Sequence, residues 1–239
     1  MRKLYQKQWF GIQFSSFSDL SSRNLASSEF YARFYEEFFR KFKSFDDLPN
    51  DWKNGKHEVA EHLSTLIHGR SRVLSIGCGN GYIEQCLVDK HCYQGSLTAL
   101  EPNIACSQWV NTDRINLVHG QFPDAISDME SYDFAYASGI DYVFTDYDYL
   151  KFLMAIRKSG IKDFLLTIVF TPDTSFKGTV HHWFSWLASR LHLRKQGQLW
   201  GYLRTPMEHR LMIKKAGLFV VEAGEYQYGP RWFRLKPMI

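Results

Sequence analysis

The sequence predicts an α/β protein in which a doubly wound, mostly parallel sheet lies between two layers of helices. Three observations lead to this fold class. Short apolar runs alternate with helical segments from about residue 70 onward, as in a parallel sheet with helices on both faces. A glycine-rich loop follows the first run, and the last two runs suit an antiparallel hairpin. We therefore expect a seven-stranded sheet with an antiparallel C-terminal hairpin, preceded by an N-terminal helical cap.

The 239 residues suit one α/β domain with an appendage. Hydrophobic residues make up 45% of the chain, which allows a sizeable core and excludes global disorder. The net charge of +4 is too small to indicate nucleic-acid binding by itself. No signal peptide or membrane-spanning run is recognisable. The four cysteines form no C-x-x-C pair, so we predict reduced thiols and a cytoplasmic protein.

Residues 1–55 are predicted to form the helical cap, and the first 70 residues read as helical. In the segment 27–42, phenylalanines recur at every fourth position and share one helical face. Ser27 or Ser28 is a suitable N-cap. A second helix, over 55–69, ends at a glycine, which is a natural C-terminal stop. The main domain is predicted over 56–239.

The strands and helices of the main domain follow in order. The first five strands are short apolar runs, as expected for buried parallel strands. They are predicted over 72–76, 96–101, 115–120, 132–138 and 163–170, and the closing hairpin over 218–226 and 231–237. Helices are predicted over 82–90, 103–110, 147–160 and 205–217. The last of these begins with Thr205, Pro206 and Glu208, which fit an N-cap, a first-turn proline and a capping box.

The loop after the first strand carries glycines at three alternate positions, Gly77, Gly79 and Gly81. Glycines permit unusual backbone shapes and close approach by a ligand, and the helix start that follows favours an anion. A nucleotide P-loop is excluded, because no Lys-Ser or Lys-Thr follows. The dinucleotide fingerprint needs a small residue where Tyr82 stands. A G-x-G-x-G loop remains.

The run "VLSIGCGNG" resembles the first motif of the class I S-adenosylmethionine-dependent methyltransferases, with a Rossmann-like fold and a small-molecule substrate. The resemblance covers about residues 56–239 apart from an insert, and it implies S-adenosyl-L-methionine as cofactor. Its methionyl carboxylate is the anion that such a loop would hold. Glu101 stands at the family's second hallmark position, where an acid accepts both ribose hydroxyls. Ser75 departs from the family, which usually has an acid there that helps to hold the cofactor's amino group.

The resemblance implies a cofactor site on the loops that follow the first four strands. Gln121 and Phe122 match the place of the adenine contacts, and the chain after the fourth strand borders the methyl group. The implied cofactor-binding residues are Ser75, Gly77, Cys78, Gly79, Gly81, Glu101, Pro102, Gln121, Phe122, Ser138 and Gly139.

Candidate catalytic residues are few, because methyl transfer needs a base only when the acceptor must lose a proton. They are Asp141, His181 and His182. The plain alternatives are a loop aspartate that caps a turn and a structural or solvent-facing histidine pair. Glu84 is either a contact to the cofactor or substrate, or a surface acid at a helix N-terminus. No spacing of ligating side chains predicts a metal site.

Residues 171–204 interrupt the alternation of strands and helices. An amphipathic segment over 179–196 favours a substrate lid, ahead of core packing and of shallow membrane contact. In 197–205, aromatic residues and an arginine alternate and predict a pocket wall. Aromatic faces suit a sugar or a sulfonium, and arginine suits a phosphate or carboxylate. The candidate substrate-binding residues are Tyr142, Trp183, Trp200, Tyr202 and Arg204.

Three functions fit these observations. The first is methyl transfer to a small molecule, with an oxygen acceptor such as a sugar or a glycan end. The second is methylation of a protein; nucleic acid is disfavoured, since residues 138–142 read "SGIDY" where base-amino methyltransferases carry Asn/Asp-Pro-Pro-aromatic. The third is a module that binds the cofactor without catalysis. The oligomeric state is not indicated.

Overall fold

The computed structural model describes residues 2–128, 131–169, 197–228 and 230–238. Strands and helices are numbered here in chain order within these residues. The strands are β1 (Arg2–Gln6), β2 (Gln8–Trp9), β3 (Ile12–Gln13), β4 (Arg72–Ile76), β5 (Ser96–Glu101), β6 (Asn116–His119), β7 (Phe134–Ser138), β8 (Phe164–Ile168), β9 (Gln198–Leu203), β10 (Leu218–Glu225) and β11 (Arg231–Pro237). The helices are α1 (Ser28–Lys41), α2 (Asn50–Leu66), α3 (Tyr82–Asp89), α4 (Asp146–Lys158) and α5 (Pro206–Lys215).

Seven strands form the central sheet, in the order β10-β11-β8-β7-β4-β5-β6. The strands β4 to β8 run parallel to one another. β11 is antiparallel to both β8 and β10. The predicted fold class is confirmed, including the antiparallel C-terminal hairpin.

Both faces of the sheet are covered by helices, which explains why its strands are continuous apolar runs. On β4, Leu74 and Ile76 face the core that contains Leu153 of α4. Val73 faces the opposite core, with Leu63 of α2. Each such buried aliphatic side chain contributes about 1.5–3 kcal/mol. Alternate residues of a strand are thus held in two cores, and this fixes the register of the sheet.

The helix ends follow the predicted capping residues. The side chain of Ser27 accepts the Phe30 N–H at 3.2 Å and starts α1. At α5, the Thr205 hydroxyl accepts the Glu208 N–H at 3.2 Å, and the Glu208 carboxylate accepts the Thr205 N–H at 2.7 Å. Such a box stabilises a helix start by about 1 kcal/mol.

The N-terminal segment differs from the helical prediction. Residues 2–13 contain three short strands, and β1 pairs antiparallel with β9. The partner strand lies almost 200 residues away in the chain, so no local pattern could reveal the pairing. α2 also runs without interruption across residues 55 and 56, so the predicted domain boundary would fall inside a helix.

The predicted helix over 103–110 is reduced to a single 3₁₀ turn, Ile104–Cys106. The Asn103 side chain accepts the Ala105 N–H at 3.1 Å, and the Ser107 hydroxyl donates to the Ile104 carbonyl at 3.2 Å. Asparagine and serine compete with helical hydrogen bonds in this way. The prediction of a full helix was therefore wrong.

The cap has an aromatic core of its own. Phe14, Phe34 and Phe38 are fully buried in it. Trp200 of β9 stacks on Phe14, with ring centroids 5.0 Å apart. The cap is thus joined to a strand from the C-terminal third of the chain. Among the described residues, no helix has the length and apolar character needed to cross a membrane.

Candidate active site

A cavity of about 660 Å³ lies between the cap and the sheet. Its floor is formed by the carboxyl ends of β4, β5 and β7 and by the loops that follow them. Ligands of open α/β sheets bind at this edge. Aromatic residues of the cap form the opposite wall, among them Tyr31, Tyr35 and Phe38.

The glycine loop is fastened to the end of β5. The Gly77 and Cys78 N–H groups donate to the Leu100 carbonyl at 2.7 and 3.2 Å. The Gly79 N–H donates to Glu101 Oε2 at 2.9 Å. These three N–H groups are used within the chain. The predicted contact between the loop and a carboxylate would therefore use other donors.

Gly81 is the position of the loop where a side chain is least tolerable. Its φ is +79°, and a Cβ there would lie 2.5 Å from Val110 Cγ2. Gly69 has a similar φ of +72° but open space around it. We expect Gly69→Ala to cost about 1–2 kcal/mol through backbone strain alone. Gly81→Ala should cost about 1–3 kcal/mol more, because Val110 must also move.

Urea unfolding of the two glycine variants measures this difference. Val110→Ala should cost less in the Gly81→Ala background than in the wild type, because the smaller side chain relieves the overlap. Equal losses of stability in Gly81→Ala and Gly69→Ala would show that the loop tolerates the extra methyl group.

Glu101 presents its carboxylate to the cavity at the end of β5. Its two oxygens accept the Gly79 and Asn103 N–H groups, each at 2.9 Å. Burial raises the pKa of Glu101, and the two N–H donors oppose that shift. A carboxylate has about four acceptor positions. The two N–H groups take two of them and the neighbouring Cys106 thiol competes for a third, which leaves acceptor capacity for a ligand. The geometry suits the predicted contact with two neighbouring hydroxyls.

The sequence left two alternatives for Glu84, a contact to the cofactor or substrate and a surface acid, and the structure excludes the second. Glu84 is only 1% exposed and lies on the cavity wall, so it is not a surface acid. Its Oε1 accepts the Ser75 hydroxyl at 2.5 Å and the Tyr136 hydroxyl at 2.7 Å. Burial raises the pKa of Glu84, while these two hydroxyls and Lys56 act in the opposite direction. Glu84 is the third residue of α3, and helical side chains point back toward the N-terminus, which brings its carboxylate to Ser75.

Lys56 was not singled out from the sequence. It projects from α2 into the cavity wall, and its Nζ donates to Ser138 Oγ at 3.3 Å. Burial lowers the pKa of Lys56, and the negative charge of Glu84 opposes the shift. A lysine within an amphipathic helix is predicted to be exposed to solvent, so only the tertiary structure reveals that Lys56 lies on the cavity wall.

Ten of the eleven residues implied for cofactor binding lie on the cavity wall. The exception is Gly81, which lies at the N-terminus of α3 and packs against Val110. Phe122 packs edge-on against Phe152 of α4, with centroids 5.6 Å apart. Their roles in binding remain predictions.

Asp141 lies behind the cavity wall. Its side chain is fully buried, Oδ1 accepts the Val169 N–H at 2.9 Å, and Oδ2 is 3.5 Å from His209 Nε2. Burial raises the pKa of Asp141 to about 7 and lowers that of His209 to about 3. A base must reach the proton it removes, and this carboxylate faces the protein interior. The position does not fit the expected base. His181, His182 and Trp183 lie outside the described residues.

The candidate substrate residues divide into two groups. Tyr142 and Trp200 lie on the cavity wall, whereas Tyr202 and Arg204 do not. The buried Arg204 guanidinium donates to the Asp141 and Phe144 carbonyls at 2.9 and 2.7 Å. It also pairs with Asp146 at 2.9 Å. The expected contact of Arg204 with an anionic substrate does not fit this position; Arg204 instead secures the loop that carries Tyr142.

The tyrosines of the cavity wall remain protonated near neutral pH. Burial raises the pKa of Tyr142 to about 12. It also raises the pKa values of Tyr31 and Tyr35 well above their usual range. The hydroxyls of these tyrosines therefore act as hydrogen-bond donors and not as bases at neutral pH. Their rings provide apolar surface.

No protein-family model and no curated protein matches the chain. Solved structures match it over most of its length. The mitomycin 7-O-methyltransferase MmcR superposes with a TM-score of 0.60 and 18% identity, over 87% of this chain and 57% of that one. The chain has the methyltransferase fold. TnmH superposes with a TM-score of 0.62 and 15% sequence identity, over 88% of this chain and 59% of that one.

A third match comes from a chain of similar length. It is the magnesium protoporphyrin IX methyltransferase ChlM of Synechocystis PCC 6803 with bound SAH, with a TM-score of 0.58 and 12% identity. It covers 89% of this chain and 95% of that one. The chain thus spans less than two thirds of MmcR and TnmH but nearly all of ChlM. At these identities the likeness establishes the fold alone.

Proposed function

We propose that this protein is an S-adenosylmethionine-dependent methyltransferase that acts on a small molecule. The observation that carries the proposal is the Glu101 carboxylate, which is fastened to the glycine loop and faces the cavity with acceptor positions left over. ChlM, which shares the fold, was solved with bound SAH. The cavity of about 660 Å³ also falls within the range typical of small-molecule sites.

The residues of the cavity fit this cofactor. A Cβ on Gly79 would meet nothing within 4 Å, so the loop leaves room for a ligand. Glu101 would hold the ribose hydroxyls, and Gln121 and Phe122 would border the adenine. When bound, the cofactor supplies a methyl group on a sulfonium. The protein's part is to orient the acceptor and to exclude water, which suits the aromatic wall of the cap.

The acceptor atom is proposed to be an oxygen, on a sugar, a glycan end or another small hydroxylated molecule. Aromatic rings such as those of Tyr31, Tyr142 and Trp200 offer flat apolar surfaces for a ring-shaped acceptor. The Tyr142 hydroxyl, with its pKa near 12, is suited to donate a hydrogen bond to an acceptor oxygen. MmcR, with the same fold, is a 7-O-methyltransferase.

Titration calorimetry with S-adenosylmethionine and S-adenosylhomocysteine tests the proposal. We expect both to bind, and we expect methyl transfer to some members of a panel of hydroxylated sugars and phenols. Absence of heat and of any thermal shift at millimolar ligand would refute the proposal. Binding without transfer to any small molecule or peptide would instead support a non-catalytic module.

A further inference from the structure

Position 75 of the central strand carries a serine where methyltransferases of this class usually have an acid, yet a carboxylate is still present there. Glu84 reaches back from α3, and its Oε1 accepts the Ser75 hydroxyl at 2.5 Å. The Tyr136 hydroxyl of the adjacent strand β7 holds the same oxygen at 2.7 Å. Two donors thus fix the carboxylate beside Ser75, and a helix residue supplies an acid at this place.

The second oxygen of Glu84 is left without a partner. Oε2 is buried and accepts no hydrogen bond from any of the described residues, although the residue lies on the cavity wall. An unpaired buried carboxylate oxygen is costly, so in a native protein it calls for an explanation such as a bound partner. The partner that suits it is a cationic hydrogen-bond donor.

A positive charge lies on the same part of the cavity wall. Lys56 donates to Ser138 Oγ at 3.3 Å, and its charge acts on Glu84. The N–H groups of Gly77, Cys78 and Gly79 are already used within the chain. Among the described residues that line the cavity, Lys56 is the cationic side chain that can meet an anion at this place. An acid and an ammonium together match a zwitterion, which adds no net charge to the site.

We infer that Glu84 and Lys56 bind the α-amino acid group of the cofactor. Glu84 Oε2 accepts a hydrogen bond from its ammonium group, and Lys56 pairs with its carboxylate. The inference rests on the proposed function and deepens it. It assigns to a helix residue the contact that this fold class usually takes from the strand, and it explains how Ser75 is accommodated.

Two related ligands separate this contact from the rest of the site. S-adenosylhomocysteine carries the α-amino acid group, and 5′-methylthioadenosine has the same nucleoside without it. We expect Glu84→Gln to weaken binding of S-adenosylhomocysteine about 10- to 150-fold, as for a lost hydrogen bond to a charged group. Binding of 5′-methylthioadenosine should change less than about twofold, within the usual effect of a distant substitution. Lys56→Met should show the same selectivity.

Two further variants sharpen the calorimetry. Glu101→Ala should weaken both ligands, because it removes the ribose contact that they share. Ser75→Asp combined with Glu84→Gln should restore part of the affinity for S-adenosylhomocysteine, since the new aspartate on β4 places a carboxylate beside the position that Glu84 occupies. Circular dichroism and melting without ligand show which variants fold. If Glu84→Gln does not fold, the selectivity of Lys56→Met between the two ligands tests the inference instead. Lys56 is only half-buried, so its replacement should leave the fold intact.

The outcomes are distinct. If wild-type protein binds neither ligand, the proposed function is refuted, and the inference with it. If wild-type protein binds both ligands but the folded variants keep full affinity for S-adenosylhomocysteine, only the inference is overturned. Equal weakening of both ligands by Glu84→Gln and Lys56→Met also overturns it, since these residues then shape the site in general.

Discussion

Replacing Glu101 with alanine is expected to weaken binding of S-adenosylmethionine by about 2–4 kcal/mol, or roughly 30- to 900-fold. Two charge-assisted hydrogen bonds to the ribose would be lost. The same carboxylate also accepts the Gly79 and Asn103 N–H groups, so the glycine loop would lose one of its attachments to β5. The binding effect should therefore exceed that of any other single substitution in the cavity.

Calorimetry on Glu101→Ala and on Glu61→Ala provides the measurement and its control. Glu61 is an exposed acid of α2, and its removal changes the net charge by the same amount. We expect Glu61→Ala to bind as the wild type does. An unchanged dissociation constant for Glu101→Ala would show that the ribose is held elsewhere.

The largest loss of stability is expected for Phe34→Ala. Phe34 is fully buried in the aromatic core of the cap and stacks on Trp9, with centroids 5.1 Å apart. Truncation of a buried phenylalanine costs about 3–5 kcal/mol through lost burial and the cavity left behind. For a chain of this length that corresponds to a decrease in Tm of about 6–20 °C.

Thermal unfolding of Phe34→Ala should remain a single transition, because the cap shares β9 and α2 with the rest of the molecule. Leu211→Ala is the matched control, since this side chain of α5 is 61% exposed. Its effect should stay within about 0.5 kcal/mol. A separate early transition in Phe34→Ala would show that the cap unfolds on its own.

Local sequence patterns were sufficient to predict the strands and the glycine loop that surround the site. The alternation of apolar runs and amphipathic segments predicted the seven strands, since burial on both faces leaves a recognisable run in each strand. The glycine loop and Glu101 were singled out from their spacing and from the family resemblance, because both lie at the ends of neighbouring strands. Their roles in binding stay predictions. The predicted helix over 103–110 failed where Asn103 and Ser107 bond to the backbone, a competition that an apolar periodicity does not register.

The acceptor side of the site depended on contacts between distant parts of the chain. Arg204 and Trp200 stand four residues apart in sequence, yet one is buried against backbone carbonyls and the other lies on the cavity wall. The pairing of β9 with β1 skips Trp200, so Trp200 and Tyr202 do not alternate as in a regular strand. β9 then ends at Leu203, and the chain turns into α5. Asp141 likewise faces the protein interior, where its two oxygens lie against the Val169 N–H and His209 of α5.

The sequence by itself determined the sheet, the order of its strands along the chain, the glycine loop and the acid at Glu101. Each of these is encoded within a few residues, through periodicity, capping or spacing. The tertiary structure decided that β1 pairs with β9, that Glu84 lies beside Ser75, and that Lys56 reaches the same cavity. These contacts join residues from separate elements, and their side chains acquire a direction only when the elements pack.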